Sequence, residues 1–314
     1  ESGTGAAATP DVHEADMLLR GAHILLTEDN EINQQIAIEL LEGAGATVDV
    51  ANNGREAVDI LFQGSSPPPY DVVLMDLQMP EMDGYQATTR IRGDSRFAEL
   101  PIIAMTAHAT VEERNRCLAA GMNDHISKPI HPNILFDTVA RYYRPATADL
   151  LAPIEVEATA SVATSPPDSP LPAVSAQADA LPVVEGLDTA DGLMRVAGNR
   201  KLYLKLLRQF VASEQDAPSR IRERLASQDR ATAERMAHTV KGVAGNLGVG
   251  AVQSAAADLE RAVNEGSPAE ALCDRLASVL SPLLAELRAA LGEPAVVTAP
   301  PAVQAAVDPE IIRE

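Results

Sequence analysis

Asp76 closes an apolar run, Val72-Val73-Leu74-Met75, and Glu28 and Asp29 close another, Ile24-Leu25-Leu26-Thr27. Short apolar runs bounded by turn signals read as buried strands of a parallel sheet. If the two strands are neighbours, three carboxylates gather at one carboxyl edge, where open α/β folds place their sites. Like charges that close cannot all ionise unaided, so a pKa rises or a cation enters. A hard divalent ion with oxygen ligands, such as Mg2+, fits that group, with the backbone carbonyl of Gln78 as a further ligand. A carboxylate beside such an ion can accept a phosphoryl group. Two more strand ends add polar groups: Thr106 follows Ile102-Ile103-Ala104-Met105, and Lys128 follows His125-Ile126-Ser127. A hydroxyl and a point charge there would contact phosphoryl oxygens. The bond before Pro129 is a candidate cis peptide that turns Lys128 into the pocket.

Each residue alone has a plainer explanation. An acidic pair before a helix is usually a cap, and Asp29 or Asn30 could cap the helix that follows. A Thr after a strand is usually turn chemistry, and a Lys before Pro usually faces solvent. The conjunction decides against this, because four strand ends each carry a group that one mechanism requires.

A second constellation lies in a helical stretch that begins near Arg230. His238, Lys241, Gly242 and Gly245 stand at i, i+3, i+4 and i+7 and share one face. A glycine inside a helix costs about 1 kcal/mol against alanine, so two of them point to a close approach by a partner. An exposed imidazole at His238 could attack phosphorus through a ring nitrogen, with Lys241 drawing the phosphoryl oxygens toward it. The bare Gly242 and Gly245 would let a partner's rim sit flush. A lone histidine would read as an ordinary interfacial residue. His108 follows Thr106 closely enough to line a partner surface, while His13, His23 and His131 have no metal-ligand spacing.

The elements that must position these groups follow from periodicity. Strand candidates at 24–27, 47–50, 72–75, 102–105 and 125–127 alternate with amphipathic stretches such as 32–41, which predicts a five-stranded, doubly wound parallel sheet over residues 21–145. Residues 1–20 read as a linker. Residues 146–186 are rich in Pro, Ala, Ser and Thr and contain no Lys or Arg, the composition of a solvated tether. Its 41 residues span roughly 35 Å between their ends. Residues 187–292 are helical throughout, with breaks near Gly198, Pro218, Gln228-Asp229, Gly248 and Gly266, and read as an antiparallel four-helix bundle. Pro282 is expected to kink the last helix or mark a boundary. Residues 293–314 form a tail in which Asp308-Pro309-Glu310 resembles a helix start. Together with Glu1 in place of Met, this suggests a piece of a longer protein.

Bulk properties narrow the function. The net charge of −20 opposes nucleic-acid binding. It is unevenly spread, with 18 acidic and 9 basic side chains in 21–145 against 13 and 14 in 187–292, so the first region could attract the second. Cys117 and Cys273 are too far apart for a metal motif and read as reduced thiols of a cytoplasmic protein. No apolar stretch reaches membrane-spanning length, so no membrane contact is expected from these residues. Neither a Walker-type loop nor a glycine-rich ATP motif is recognisable. The chain is therefore expected not to phosphorylate itself from ATP.

The segments TEDN (27–30), VVLMDLQMPEMDG (72–84), IIAMTA (102–107) and HISKPI (125–130) resemble a response-regulator receiver domain. The stretch around His238-x-x-Lys241-Gly242, with Asn246-Leu247-Gly248 and Leu259-Glu260, resembles a histidine-containing phosphotransfer (Hpt) domain. These resemblances imply that Asp76 accepts phosphate, that Glu28 and Asp29 bind Mg2+, and that Thr106 and Lys128 stabilise the phosphorylated state. The order of domains is similar to the C-terminal part of a hybrid sensor histidine kinase. It implies a phosphorelay in two-component signal transduction, from an upstream kinase core through Asp76 and His238 to a downstream response regulator. A membrane anchor would lie outside these residues. One departure stands out: where receivers often carry a Tyr or Phe switch, this chain has His125. A different reading makes the receiver a docking module that restrains the kinase core, with His238 as a phosphate drain.

Overall fold

A computed structural model describes residues 18–65, 68–107, 110–144 and 181–292. Five strands, β1 (His23–Thr27), β2 (Thr47–Ala51), β3 (Val72–Asp76), β4 (Ile102–Thr106) and β5 (Asp124–Ser127), form one sheet in the order β2-β1-β3-β4-β5. Every neighbouring pair is parallel, with Thr27 opposite Met75 and Thr106 opposite Ser127. The order reverses between β1 and β3, so the crevice at their carboxyl ends is the topological switch point.

The strands are apolar on both faces because helices cover both. Alternate residues point to opposite sides. Ile24, Leu26, Val72 and Leu74 pack beneath α1 (Glu31–Gly43) and α5 (Pro132–Tyr142). Leu25, Val73 and Met75 pack beneath α2 (Gly54–Gln63), α3 (Gly84–Arg92) and α4 (Val111–Ala119). Leu19 is fully buried and its N–H donates to the Ala44 carbonyl, so the packed domain begins slightly before residue 21.

The second unit contains α6 (Thr189–Arg195), α7 (Arg200–Glu214), α8 (Ala217–Ala226), α9 (Arg230–Asn246), α10 (Gly250–Asn264) and α11 (Glu270–Ala290). Helices α8 to α11 close into a four-helix bundle in which each packs on the next and α11 returns to α8, while α7 lies outside against α11. Leu206, Leu207, Phe210, Leu276, Leu280 and Leu283 are buried as their spacing predicts, and Leu202 and Val279 are partly buried. The breaks fall where the sequence places them, but Pro282 does not end a helix. It sits inside α11, which continues to Ala290. Packing on both sides of the proline holds the helix together, with Leu280, Leu283, Leu284 and Leu287 all buried. Val184 also packs against the core, so ordered packing begins ahead of the expected boundary at 187.

Helix α1 is shared. Its inner face lies on the sheet, and α7 and α9 pack against it from outside. One apolar cluster therefore runs from Ile24 and Leu26 through Ile36 and Leu40 to Val240 and Val243. Among the described residues, no helix is long and apolar enough to cross a membrane. Cys117 and Cys273 are buried free thiols. Residues 146–180 of the expected tether (146–186), residues 1–17 of the expected lead-in and the tail (293–314) lie outside the described residues.

Candidate functional site

The sheet brings together the groups that the sequence singles out. The carboxylate oxygens of Glu28, Asp29 and Asp76 lie within 4.8 Å of one another at the switch point. Asn30, not Asp29, caps α1, accepting from the N–H groups of Ile32 at 3.0 Å and Asn33 at 3.1 Å. Asp29 is thereby left to the pocket. Lys128, after a cis peptide to Pro129, donates from Nζ to Glu28 Oε2 at 2.6 Å and to Asp76 Oδ2 at 2.7 Å. The Gln78 N–H donates to Asp76 Oδ1 at 3.3 Å, and Thr106 is buried at the end of β4.

Burial governs the electrostatics. Desolvation pushes the Asp76 carboxyl up to about 6 from its ordinary 3.8, with Lys128 pulling it back and Glu28 pushing further. Asp29 is likewise raised to about 6 by burial and by the charge of Glu28, against the pull of Lys128 and Arg235. Burial alone would lower the Lys128 ammonium, but Asp76 and Glu28 overcome it and drive its pKa up. Three hard oxygen donors that resist ionising together suit a divalent cation. The donor set fits Mg2+ in chemistry, provided that Glu28 shares oxygens already engaged by Lys128 and Asn33.

The second constellation is built on α9. His238 is not exposed, contrary to the expectation from sequence, and neither is Lys241. They are 6% and 7% accessible, because α10 flanks them and the receiver covers them. Glu260 of α10 accepts from both: His238 Nδ1 lies 2.7 Å from its Oε1, and Lys241 Nζ lies 2.5 Å from its Oε2. Burial alone would raise the Glu260 carboxyl, but the His238 bond and charge, helped by Lys241, hold it below its ordinary value. An ionised carboxylate accepts only, so Nδ1 carries the proton and a neutral ring keeps its lone pair at Nε2. That nitrogen is buried and has no hydrogen-bond partner among the described residues.

The two constellations meet. A cavity of about 470 Å³ is lined by Asp76, Gln78 and Thr106 from the receiver side and by Arg235 and His238 from α9. Around it, the Arg195 guanidinium donates to the Ile130 carbonyl at 3.3 Å and Gln209 Nε2 donates to Glu31 Oε2 at 2.9 Å. Asn199 donates to Glu39.

Gly245 meets a close approach, tightest from its own bundle and looser from the receiver. A Cβ there would lie 2.6 Å from Gln253 Nε2 and 3.3 Å from Pro129 Cγ on the receiver. Gly242 does not, since a Cβ would meet only Asn33 Nδ2, at an ordinary 3.8 Å. His125 stays apart: its Nδ1 lies 3.6 Å from Asp124 Oδ1, and it does not line the shared cavity. His108 lies outside the described residues.

Sequence reasoning gave no role to Asn33, Arg235, Asn246 or Glu260. Glu260 carries a legible signal, an acid between Ala256, Leu259 and Val263 on an otherwise buried face. Arg235 stands one turn before His238 and is recognisable only when the domains are seen docked.

Fold and site together describe a five-stranded α/β domain docked on a helical bundle. Residues 24–140 match the family model of the response regulator receiver domain, and residues 205–291 match that of the Hpt domain. The chain therefore carries a receiver followed by an Hpt domain, and its relatives include hybrid histidine kinases. The sensor protein GacS of Pseudomonas syringae pv. syringae is 33% identical over 256 residues, covering 79% of this chain and 25% of that protein. Hybrid signal transduction histidine kinase B of Dictyostelium discoideum is 45% identical over 118 residues, covering 34% of this chain and 6% of that one. The chain thus spans a quarter or less of these relatives. A crystal structure of the receiver domain of a Pseudomonas aeruginosa sensor histidine kinase, with magnesium in its active site cleft, is 38% identical. It covers 39% of this chain and 97% of its own, with a TM-score of 0.36.

Proposed function

We propose that Asp76 accepts a phosphoryl group from the histidine of a kinase core and passes it to His238, which delivers it to a separate response regulator. The observation that carries this reading is the shared cavity, with Asp76 on one wall and His238 on the other. Glu260 fixes the imidazole so that Nε2 holds the attacking pair. As the N–P bond forms, the bond between phosphorus and the Asp76 oxygen breaks, and its electron pair returns to the carboxylate beside Lys128. The Nδ1 proton stays in its bond to Glu260. Glu28, Asp29, Asp76 and the Gln78 carbonyl would hold Mg2+, which supplies charge neutralisation to phosphoryl oxygens. Thr106 and Lys128 would contact those oxygens, and Lys241 keeps Glu260 charged.

The docked arrangement favours transfer within one chain. The kinase core would belong to the same polypeptide, a cytoplasmic portion of a hybrid sensor kinase. Labelling tests the reading. With the kinase core or a small acyl phosphate as donor, Asp76→Asn should take up no label on either residue, and His238→Gln should hold label on Asp76 without delivering it. Delivery to a downstream receiver by His238→Gln would refute the assignment.

A further inference from the structure

The buried polar groups around Asp76 do not end at Glu28. Glu28 Oε1 accepts from Asn33 Nδ2 at 2.9 Å, and Asn33 Oδ1 accepts from Asn246 Nδ2, also at 2.9 Å. Asn246 Oδ1 in turn accepts from the Ile130 N–H at 3.0 Å. With the two bonds from Lys128, this makes one series: Asp76, Lys128, Glu28, Asn33, Asn246 and the backbone two residues after Lys128. It crosses the domain boundary at the Asn33–Asn246 contact. Asn246 is fully buried and Asn33 is 3% exposed.

The direction of each bond follows from the chemistry. Both Glu28 oxygens accept, Oε2 from Lys128, which can only donate, and Oε1 from the Asn33 amide. With its NH2 donating to Glu28, Asn33 presents its oxygen to Asn246 of the other domain. The bundle has to bring a donor to that oxygen and an acceptor to the Ile130 N–H, both at the end of α9. A carboxamide offers one of each. An aspartate would keep the acceptor and set two oxygens face to face. If Asn33 flipped to relieve that clash, its oxygen would confront Glu28 instead. Buried polar groups left unsatisfied are costly, so a misregistered bundle is penalised at both ends of the series.

We propose that the Asn33–Asn246 amide pair is the positioning device of the docked state, which registers α9 on the receiver so that His238 stands across the shared cavity from Asp76. The partner that fits the end of α9 is a receiver face offering a buried carboxamide oxygen and a free backbone N–H. This inference rests on the Asp76-to-His238 reading.

The test uses the full chain with Asp76 loaded from acetyl phosphate and Mg2+, following label on Asp76 and His238 in single turnovers. Asn246→Ala should load Asp76 within about twofold of wild type yet slow transfer to His238 by about 10- to 100-fold, the scale of one or two buried groups left without partners. Asn246→Asp, nearly isosteric, should slow transfer at least as much although it keeps the acceptor for Ile130. The double variant Asn33→Ala/Asn246→Ala should transfer no more slowly than the slower single variant, because the two side chains act as one unit. Wild-type transfer rates in Asn246→Asp, or effects that multiply in the double variant, would overturn the proposal. A wild-type chain that labels Asp76 and never His238 would instead overturn the relay reading on which it rests.

Discussion

Two buried carboxylate sites face each other across the domain boundary, and burial acts on them with opposite results. In the receiver, three acids share one ammonium, and the carboxyls of Asp29 and Asp76 rise to about 6. In the bundle, one acid holds two donors, and Glu260 falls below its ordinary value. Burial raises every one of these carboxyls, and the cations set against them decide whether the rise survives. The receiver pocket is short of positive charge and is therefore prepared to gain it. The bundle site is already balanced, so its remaining reactivity resides in the unpaired nitrogen of His238.

Removing Lys128 should break that comparison most severely. Lys128→Met leaves Glu28 and Asp76 facing each other without a counter-charge, a loss on the scale of 3–5 kcal/mol for a buried pair deprived of one partner. Chemical denaturation at pH 7 and again at pH 5 checks this, and protonation of Asp76 should recover part of the loss at the lower pH. Glu260→Gln should come next. It removes two charge-assisted bonds worth about 1.5–3 kcal/mol each and lets the ring adopt the other tautomer. Transfer to His238 should fall by more than about tenfold, measurable as label moving from Asp76.

The opposed shifts also give opposed pH dependences. Raised carboxyls bind more protons folded than unfolded, so Asp29 and Asp76 lower stability as pH climbs from about 4 to about 6. Glu260 does the reverse: its contribution is present above its ordinary 4.5 and is lost as pH falls through its folded value. Glu260→Gln should therefore flatten the acid limb of a stability profile below about 4.5 and leave the fall from about 5 to 6 unchanged. Mg2+ affinity measured by titration calorimetry should weaken on acidification below pH 6, by about tenfold per unit for each carboxyl that must lose a proton. The smallest effect belongs to the glycines. Gly242→Ala should be neutral or stabilise α9 by up to about 1 kcal/mol, whereas Gly245→Ala should weaken docking through Gln253 and Pro129. Thermal melts and transfer rates of the two variants would separate these roles.

The fold was legible because its signals are local. Five apolar runs and the helix breaks can each be read within a few residues. Asp76, Lys128 and Thr106 converge as expected because strand ends in a parallel sheet must share an edge. What escaped reading depends on the surface between the domains. His238 looked exposed because α9 alone cannot reveal that a receiver covers it, and Gly242 looked necessary because its distance from Asn33 has no trace in the sequence. Asn33 and Asn246 lie 213 residues apart, and each alone is an unremarkable polar residue near a helix end. Pro282 marks no boundary because leucine packing on both sides of it carries the helix through.

The burial of His238 beneath its own receiver has a consequence for insulation. In the proposed relay, the surface that Asp76 occupies is the surface a downstream regulator would need, which would make the chain's own receiver a tethered competitor for it. Tethered partners meet at effective concentrations of order mM, so a foreign receiver gains the phosphohistidine only when the resident one steps aside. The same contact that speeds the first transfer thus sets a threshold for the second, and protects the pathway from chance encounters.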